Sequence, residues 1–403
     1  MLEFDDVLQA RDRVEDVART TPLDYSHTFS EMTGAEVHLK LENHQRTGSF
    51  KIRGATNRIR TLTSAEREAG VITASAGNHA QGVALAASRS GVDAKVVMPE
   101  HAPIAKVKAT RNYGADVALH GADYNEAQAL AEELAVEEER TYVHAFDDWA
   151  VMAGQGTLGL EIADQLPDLD TVVVPIGGGG LISGVATGIL GRYPEARVIG
   201  VQAAGASSVA PSLAKGEVVA LDSVDTIADG IATRRVGEKP FRVIQERVDE
   251  VVTVTDDDIA NAVLLLLERA KTLVEGAGAV PLAALLEEAF EYDEDEVIVP
   301  ALCGGNIDVN LLTTVLVHGL MQRGRYLQIK TVLKDRPGAL EDLIEVISEH
   351  QANVYAIRHD RAQRDVAMNA AEVELELQTR GHDHVTKLLD ALEEAGYDVE
   401  VLC

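Results

Sequence analysis

The stretch Gly48-Ser49-Phe50-Lys51-Ile52-Arg53-Gly54-Ala55 organises the interpretation of the whole chain. Residues 36–42 alternate like a strand and the stretch itself opens a segment with helical spacing, which places Lys51 in the first turn of a helix. A cation there opposes the helix dipole, and Arg46 and Arg53 are expected to add repulsion. A lysine among cations, or a desolvated lysine, loses its proton readily and becomes a nucleophilic amine. Taken alone, however, Lys51 is better interpreted as a solvated lysine at a helix start.

Length and composition indicate a soluble chain of two or three domains. The 403 residues are 46% hydrophobic and 25% charged, which is ordinary for globular proteins. No apolar run reaches membrane-spanning length, and the polar, acidic N-terminus does not resemble a signal peptide, so we predict a cytoplasmic protein. The only cysteines are Cys303 and Cys403, which excludes a disulfide framework and a paired-cysteine metal site.

The net charge of -30 is unusual, and the acidic residues are spread along the whole chain. Such a surface repels nucleic acid and anionic membranes, so neither is expected as a partner. Self-repulsion of this size is tolerated where concentrated salt screens it. We therefore expect a protein of halophilic type that works in a salt-rich cytoplasm.

Strands alternate with helices after Lys51, which predicts an α/β fold with a parallel sheet. Ligands of such sheets bind in the loops beyond the carboxyl ends of the strands. The predicted strands are 70–74, 93–98, 115–119, 171–176 and 197–202, and the predicted helices lie near 79–90, 103–113, 123–139, 154–165 and 181–192.

The first loop of interest is Ser75-Ala76-Gly77-Asn78-His79-Ala80-Gln81-Gly82. Small residues expose backbone N–H groups at a helix start, which suits a carboxylate. The Asn78 amide can bond a phenolic or carbonyl oxygen. A plain helix-capping loop explains the same residues about as well.

The second loop is Gly177-Gly178-Gly179-Gly180-Leu181, which follows an apolar strand. Four glycines forfeit backbone entropy, and in return they supply a nest of N–H donors for an anion. Neither a P-loop nor a dinucleotide fingerprint is present, so a single phosphate is expected. Close packing of helix on sheet is expected to explain one of the glycines, not four.

The third loop is Cys303-Gly304-Gly305-Asn306, after the apolar run at 297–302. A free cysteine is more often a small buried hydrophobe than a nucleophile, and no motif places a histidine beside it. The acidic and histidine clusters at 256–258, 291–296 and 382–384 have no ligand spacing, so we predict no metal site there and interpret them as helix starts and a solvated turn.

A lysine nucleophile, a single-phosphate cradle and no metal motif together point to pyridoxal 5'-phosphate. Residues 1–320 resemble the fold-type-II pyridoxal-phosphate enzymes, most closely the threonine/serine dehydratases, through SFKIRGA, SAGNHAQG, PIGGGGLISG, VEGAGA and CGGN. The resemblance implies two open parallel-sheet α/β subdomains, the smaller one spanning roughly residues 45–150. It also implies elimination of ammonia from L-threonine, giving 2-oxobutanoate, and from L-serine, giving pyruvate.

The resemblance also implies roles for individual residues. Lys51 would carry the cofactor as an internal aldimine, Phe50 would pack on its ring, Asn78 would bond its hydroxyl and Cys303 would face its ring nitrogen. The loop from Ser75 through Ala76, Gly77, Asn78 and His79 would receive the substrate carboxylate. The remaining cofactor contacts implied are Gly177, Gly178, Gly179, Gly180, Leu181, Gly230 and Glu275.

Three alternatives stay open. A serine-preferring dehydratase of the same fold has the same motifs. A serine racemase also resembles the chain, but Ala76 stands where racemases have a serine that moves a proton. Gln202 and Ser208 replace the acidic ligands of their divalent ion, so a tight divalent site is not expected, whereas a monovalent cation remains compatible. The third alternative is a non-catalytic amino-acid sensor.

The C-terminal residues 325–403 form a separate pattern, β-α-β-β-α-β, with strands at 326–333, 352–359, 367–378 and 397–402. With Asp335-Arg336-Pro337-Gly338-Ala339-Leu340 this order resembles an ACT domain, which is ferredoxin-like. The resemblance implies a branched-chain amino acid, isoleucine or valine, bound near Asp335–Leu340 in a homo-oligomer, a dimer or tetramer. A domain that only dimerises is the alternative. The catalytic domain is then residues 1–322.

Overall fold

A computed structural model of the protein describes residues 1–361, 367 and 369–402. The chain forms two compact units, Met1–Asp308 and Val309–Cys403. Within the described ranges, no helix combines the length and the apolar character that crossing a membrane requires. Cys403 lies outside the described residues.

The first unit contains ten strands and thirteen α-helices among its residues. The strands are β1 (Leu23–Tyr25), β2 (Glu36–Lys40), β3 (Val71–Ala74), β4 (Ala94–Met98), β5 (Asp116–Leu119), β6 (Thr141–Tyr142), β7 (Thr171–Pro175), β8 (Arg197–Ala203), β9 (Glu250–Val254) and β10 (Val297–Pro300). The helices are α1 (Phe4–Val14), α2 (His27–Thr33), α3 (Lys51–Arg60), α4 (Ser64–Ala69), α5 (Asn78–Ser90), α6 (Ile104–Asn112), α7 (Tyr124–Glu137), α8 (Trp149–Gln165), α9 (Gly180–Leu190), α10 (Val209–Lys215), α11 (Glu238–Arg247), α12 (Asp256–Leu265) and α13 (Gly276–Leu286). Short 3-10 turns lie at Glu42–His44, Ala204–Ala206 and Asp229–Ile231, and a π-helical turn lies at Leu266–Ala270.

Two separate sheets organise the first unit. The larger has the order β1-β2-β10-β7-β8-β9, and only the β1–β2 pair in it is antiparallel. The smaller has the order β5-β4-β3-β6 and is parallel throughout. The predicted α/β fold with two open parallel sheets is therefore confirmed. The predicted subdomain limits of 45–150 stay a prediction.

The five predicted strands agree with β3, β4, β5, β7 and β8 within one residue at each end. The apolar runs of β3 and β7 are the clearest, because every residue of these two strands is buried and both of their faces are covered. Helix α8 begins at Trp149, five residues before its predicted start, since the Asp148 carboxylate accepts the N–H groups of Ala150 and Val151 as an N-cap.

Helix α3 is fixed by contacts that only glycine permits. A Cβ on Gly154 of α8 would lie 2.6 Å from the Arg53 carbonyl oxygen and from the Gly54 Cα. A Cβ on Gly82 of α5 would lie 3.0 Å from the Lys51 carbonyl carbon. Backbone therefore packs on backbone around the first turn of α3, which sets the position of Lys51 from both sides.

The second unit contains α14 (Val309–Gln322), β11 (Tyr326–Lys334), α15 (Ala339–Glu349), β12 (Asn353–Asp360), β13 (Ala370–Gln378), α16 (His382–Glu394) and β14 (Val399–Val401). Its antiparallel sheet has the order β12-β13-β11-β14, with the helices over a core of leucines and isoleucines. The predicted ferredoxin-like βαββαβ order is confirmed. The predicted strand at 367–378 includes residue 368, outside the described residues, and the predicted domain boundaries at 322 and 325 stay predictions.

Candidate active site

Lys51 is the first residue of α3, as the sequence predicts, with Phe50 as its N-cap. Its Nζ donates to the Ala145 carbonyl oxygen at 3.0 Å and lies 5.1 Å from the centre of the Phe50 ring. Burial lowers the pKa of Lys51 to about 8, against partial opposition from Cys303 and Glu275. The amine is therefore deprotonated far more readily than an exposed lysine.

The predicted repulsion from Arg46 and Arg53 is wrong as the cause of that low pKa. Arg53 is buried, and its guanidinium contacts the carboxylates of Glu42 and Glu161 at 2.6 to 3.0 Å. Two carboxylates offset its charge, so desolvation and not a neighbouring cation acts on Lys51. The same network includes Lys40, whose Nζ lies 2.6 Å from Glu161 Oε1.

The loop from Ser75 to His79 joins β3 to α5. The Ser75 hydroxyl accepts the Gly77 N–H at 3.1 Å, and α5 begins at Asn78. His79 is buried, and burial, reinforced by the charge of Lys51, lowers its pKa to about 3. Its Nε2 donates to the Val143 carbonyl at 3.0 Å, so His79 is a neutral structural group behind the loop. Ala76 is partly buried and has no titratable atom.

Asn78 joins two of the other loops. Its Nδ2 donates to Glu275 Oε1 at 2.7 Å, and its Oδ1 accepts from Asn306 Nδ2 at 2.7 Å. Asn306 also donates to the Thr47 carbonyl, just before the lysine stretch. Burial raises the pKa of Glu275 to about 7, although the Asn78 bond acts the other way. The loop motifs around 48, 78, 275 and 306 therefore meet in one place.

The tetraglycine loop lies between β7 and α9. Gly179 has a φ of +87°, a conformation that L side chains rarely adopt. Helix α9 begins at Gly180, and the N–H groups of residues 177–181 donate to none of the described residues. Five free N–H groups at a helix start form an anion nest backed by the helix dipole.

All four glycines also have close neighbours, which belong to loops and α11 rather than to the helix-on-sheet packing considered from the sequence. An added Cβ would lie 2.8 Å from Ile231 Cα at Gly177, 2.8 Å from Pro240 Cβ at Gly179, and 2.3 Å from the Phe146 ring at Gly178. At Gly180 it would lie 2.9 Å from Phe146 Cα. All four glycines therefore admit close neighbours as well as leaving the N–H groups open.

Cys303 is buried beside the lysine stretch, and its carbonyl accepts the Phe50 N–H at 3.1 Å. Burial raises the pKa of its thiol, with the Glu275 carboxylate adding to the effect, so the sulfur stays protonated. A Cβ added to Gly230 would lie 2.8 Å from the Ala277 Cβ and 3.6 Å from Glu275 Oε1. Leu181 is buried at the start of α9.

Gln202 in β8 and Ser208 just after this strand are both fully buried. The Gln202 amide nitrogen donates to the carbonyl oxygens of Ile176 and Ala206, at 3.3 and 3.1 Å, and its oxygen accepts the Val209 N–H. An amide N–H group thus lies between two carbonyl oxygens. Across the described residues, no group of three or more His, Cys, Asp or Glu side chains is arranged to hold a metal ion.

The segment His144–Asp148 (the 144–148 loop) was not predicted as part of the site. It follows β6, a strand of two residues too short to give an apolar pattern. Because β6 is parallel to β3, its carboxyl end lies at the same edge of the sheet as the Ser75 loop. The sequence signal that could have indicated this loop is its position between a strand and the N-cap residue Asp148.

Two known protein families match this chain. The family described as "Pyridoxal-phosphate dependent enzyme" matches residues 14–304, and the family described as "ACT domain" matches residues 323–397. The chain belongs to the pyridoxal-phosphate-dependent enzymes. It is 49% identical over 405 residues to an L-threonine ammonia-lyase of Geobacter sulfurreducens, and 45% identical over 402 residues to one of Thermotoga maritima, with 100% of both chains covered in each case.

Solved structures resemble the first unit of this pyridoxal-phosphate-dependent enzyme. Threonine deaminase isoform 2 from Solanum lycopersicum has a TM-score of 0.73 at 41% identity, over 78% of this chain and 93% of that one. Maize serine racemase has a TM-score of 0.74 at 34% identity, over 79% and 98%. Geometry alone therefore does not separate a lyase from a racemase.

The residues present in this enzyme fit pyridoxal phosphate. The five free N–H groups of the tetraglycine loop suit its phosphate, and the amine of Lys51 suits its aldehyde. The neutral thiol of Cys303 and the amide of Asn78 are uncharged polar groups that suit its ring.

In the second unit of the enzyme, the predicted effector segment connects β11 to α15. Asp335, Arg336, Pro337 and Gly338 are exposed, and Ala339 and Leu340 are partly buried as α15 begins. Gly338 has a φ of +88°, and the Asp335 N–H donates to the Asn369 carbonyl. The loop is thus turned by glycine and open to solvent.

Proposed function

We propose that the enzyme is a threonine ammonia-lyase that converts L-threonine to 2-oxobutanoate and ammonia, and L-serine to pyruvate and ammonia. The observation that carries the proposal is the low-pKa amine of Lys51, which the neighbouring residues Ala145 and Phe146 connect to the anion nest of the tetraglycine loop. Relatives named L-threonine ammonia-lyase that match over the full length support the choice of substrate.

Lys51 acts as the general base. With a pKa of about 8, a useful fraction of its amine is neutral near neutral pH and takes the proton from the substrate Cα. Pyridoxal phosphate, when bound, supplies the electron sink for the charge that develops at this carbon. The Ala145 carbonyl accepts a hydrogen bond from the same nitrogen and orients it.

The loop at the start of α5 binds the substrate carboxylate. The N–H groups of Ala76, Asn78 and His79 donate to none of the described residues and lie at the positive end of the helix dipole. His79 stays neutral, so orientation rather than a cation holds the carboxylate. Ala76 cannot move a proton on the opposite face, which argues against a racemase.

We also propose that Asn78, Phe50, Cys303, Gly230 and Glu275 surround the cofactor ring. Glu275 holds or releases a proton near neutrality because of its raised pKa, whereas the Cys303 thiol stays protonated. A protonated thiol brings no negative charge to the ring nitrogen. That arrangement favours elimination of the β-hydroxyl over a persistent carbanion.

The ACT domain is proposed to bind isoleucine or valine at Asp335–Leu340 in a homo-oligomer, a dimer or a tetramer. The exposed loop with its glycine turn presents backbone groups that suit an amino acid. A cytoplasm rich in salt is the proposed setting, because the charge of -30 needs screening. Stability and activity that peak in dilute buffer would contradict this setting.

The test is release of 2-oxo acid and ammonia from L-threonine and L-serine, with pyridoxal phosphate, in concentrated potassium chloride. If the protein turns over threonine faster than serine, and isoleucine changes that rate, the result supports both the threonine ammonia-lyase activity and the amino-acid binding of the ACT domain. Preference for serine supports the serine dehydratase. Cofactor binding without product from either substrate, together with isoleucine binding, supports the non-catalytic sensor.

A further inference from the structure

His144 occupies an unusual place at the start of the 144–148 loop. Its Nδ1 accepts two backbone hydrogen bonds, from the N–H of Phe146 at 3.2 Å and from that of Asp147 at 2.9 Å. An N–H group only donates, so Nδ1 carries the lone pair and the neutral ring carries its proton on Nε2. The ring meets Phe146 edge-on, with centroids 4.6 Å apart.

Of the three residues that follow His144, two contact the proposed site and the third caps a neighbouring helix. The Ala145 carbonyl accepts the Lys51 amine, and the Phe146 ring lies against Gly178 of the anion nest. The Asp147 carboxylate accepts the N–H groups of residues 238 and 239 at 3.2 and 3.0 Å, capping α11. The backbone turn at residues 145–147 therefore connects Lys51, the tetraglycine loop and α11.

We propose that His144 is a positioning residue: its unprotonated Nδ1 sets the turn that places the Ala145 carbonyl at Lys51 and the Phe146 ring on the glycine loop. The inference rests on the proposed function for its effect on turnover. Its effects on the loop and on cofactor binding do not depend on which substrate the enzyme uses.

The charges around His144 keep this role available at neutral pH. Burial lowers its pKa, Lys51 and Lys239 act in the same direction, and Asp147 and Asp148 oppose them. The ring of Tyr142 on β6 also faces it, at 6.2 Å. Protonation would place a hydrogen on Nδ1 and remove both backbone bonds.

Two substitutions distinguish the hydrogen-bonding role of His144 from simple filling of space. In His144→Asn, the amide Oδ1 lies on the same branch of the side chain as Nδ1 and can accept the same bonds. In His144→Leu, the side chain fills the space but has no acceptor. His384→Leu is the matched control, since His384 Nδ1 also accepts a backbone N–H, that of Arg380 at 3.0 Å, in the second unit.

The experiment measures three quantities in each variant. In His144→Leu we expect the amides of residues 146–147 to exchange hydrogen about tenfold faster in the protein without cofactor. We also expect the dissociation constant for pyridoxal phosphate to rise about tenfold, and kcat for threonine to fall at least as much. His144→Asn should restore most of each value, and His384→Leu should leave all three unchanged.

Unchanged exchange in His144→Leu, or equal damage in His144→Asn, would overturn the proposal. If His144→Leu does not fold, ¹⁵N NMR of the wild-type histidines decides: the His144 resonances, identified by their loss in His144→Asn, must show an unprotonated Nδ1, and a protonated one overturns it. If the wild type has no lyase activity, exchange and cofactor binding still test His144, so the two failures are distinguishable.

Discussion

Arg53 and Glu42 form a buried two-pronged ion pair, with Nε 2.6 Å from Oε1 and Nη2 3.0 Å from Oε2. Removing one partner leaves the other charge buried and uncompensated. We expect Arg53→Met to lower the free energy of unfolding by about 3–5 kcal/mol in urea titrations. The exposed pair Arg11–Asp164 gives the control, since Arg11→Met should cost about 1 kcal/mol or less. Equal losses for the two variants would contradict the role of burial.

Lys51→Ala should abolish both lyase turnover and the absorbance of the lysine-linked cofactor, because it removes the amine that is proposed to link the cofactor and to serve as base. Spectra and product assays measure the two effects. Lys215→Ala, at an exposed lysine that pairs with Glu217, should leave both intact. Residual turnover of Lys51→Ala above about one part in a thousand would remove Lys51 from the proposed mechanism.

Glu275→Gln should change how stability depends on pH. The pKa of Glu275 is about 7 in the folded protein against an ordinary 4.5, so the folded state binds more protons between these values. Stability of the protein without cofactor therefore falls as pH rises through this window, and the whole cost is present above pH 7.

Glutamine removes that cost and still accepts the Asn78 bond. Relative to the variant, the wild type should lose roughly 3 kcal/mol of unfolding free energy between pH 4.5 and 8.5, by urea titration without cofactor. Parallel pH profiles for the two proteins would show that Glu275 is not desolvated.

Gln202→Glu should make folding depend on a cation. The new carboxylate would face the carbonyl oxygens of Ile176 and Ala206, which the amide nitrogen now contacts. We expect a loss of about 1–3 kcal/mol in chelator-treated buffer and recovery with magnesium or calcium. The wild type should respond little to the same ions at constant ionic strength. A variant as stable as wild type without cations would refute this account.

Lys51 and the tetraglycine loop were predictable because their signals are local, a cation at a helix start and consecutive glycines after an apolar strand. The meaning of Arg53 was not, because its partners lie 11 and 108 residues away in the sequence. The sequence indicates Asn306 only as part of a loop, since its hydrogen bond to Asn78 joins residues 228 positions apart.

The role proposed for the 144–148 loop could not be predicted from the sequence either. Its proposed role depends on which residues its backbone contacts. A hydrogen bond to a backbone carbonyl, such as that from Lys51 Nζ to Ala145, cannot be recognised in the sequence because any residue could supply the carbonyl. The packing of Phe146 on Gly178 could likewise not be predicted, because a glycine in the sequence permits a close neighbour without indicating which residue it is.

The protonated thiol of Cys303 has a consequence for oxidative chemistry. Peroxides and alkylating reagents attack the thiolate, and burial keeps this sulfur as the thiol. The proposed site thus holds a sulfur atom that can contact a ring without serving as a redox sensor. Oxidative inactivation at neutral pH is therefore not expected to begin at Cys303.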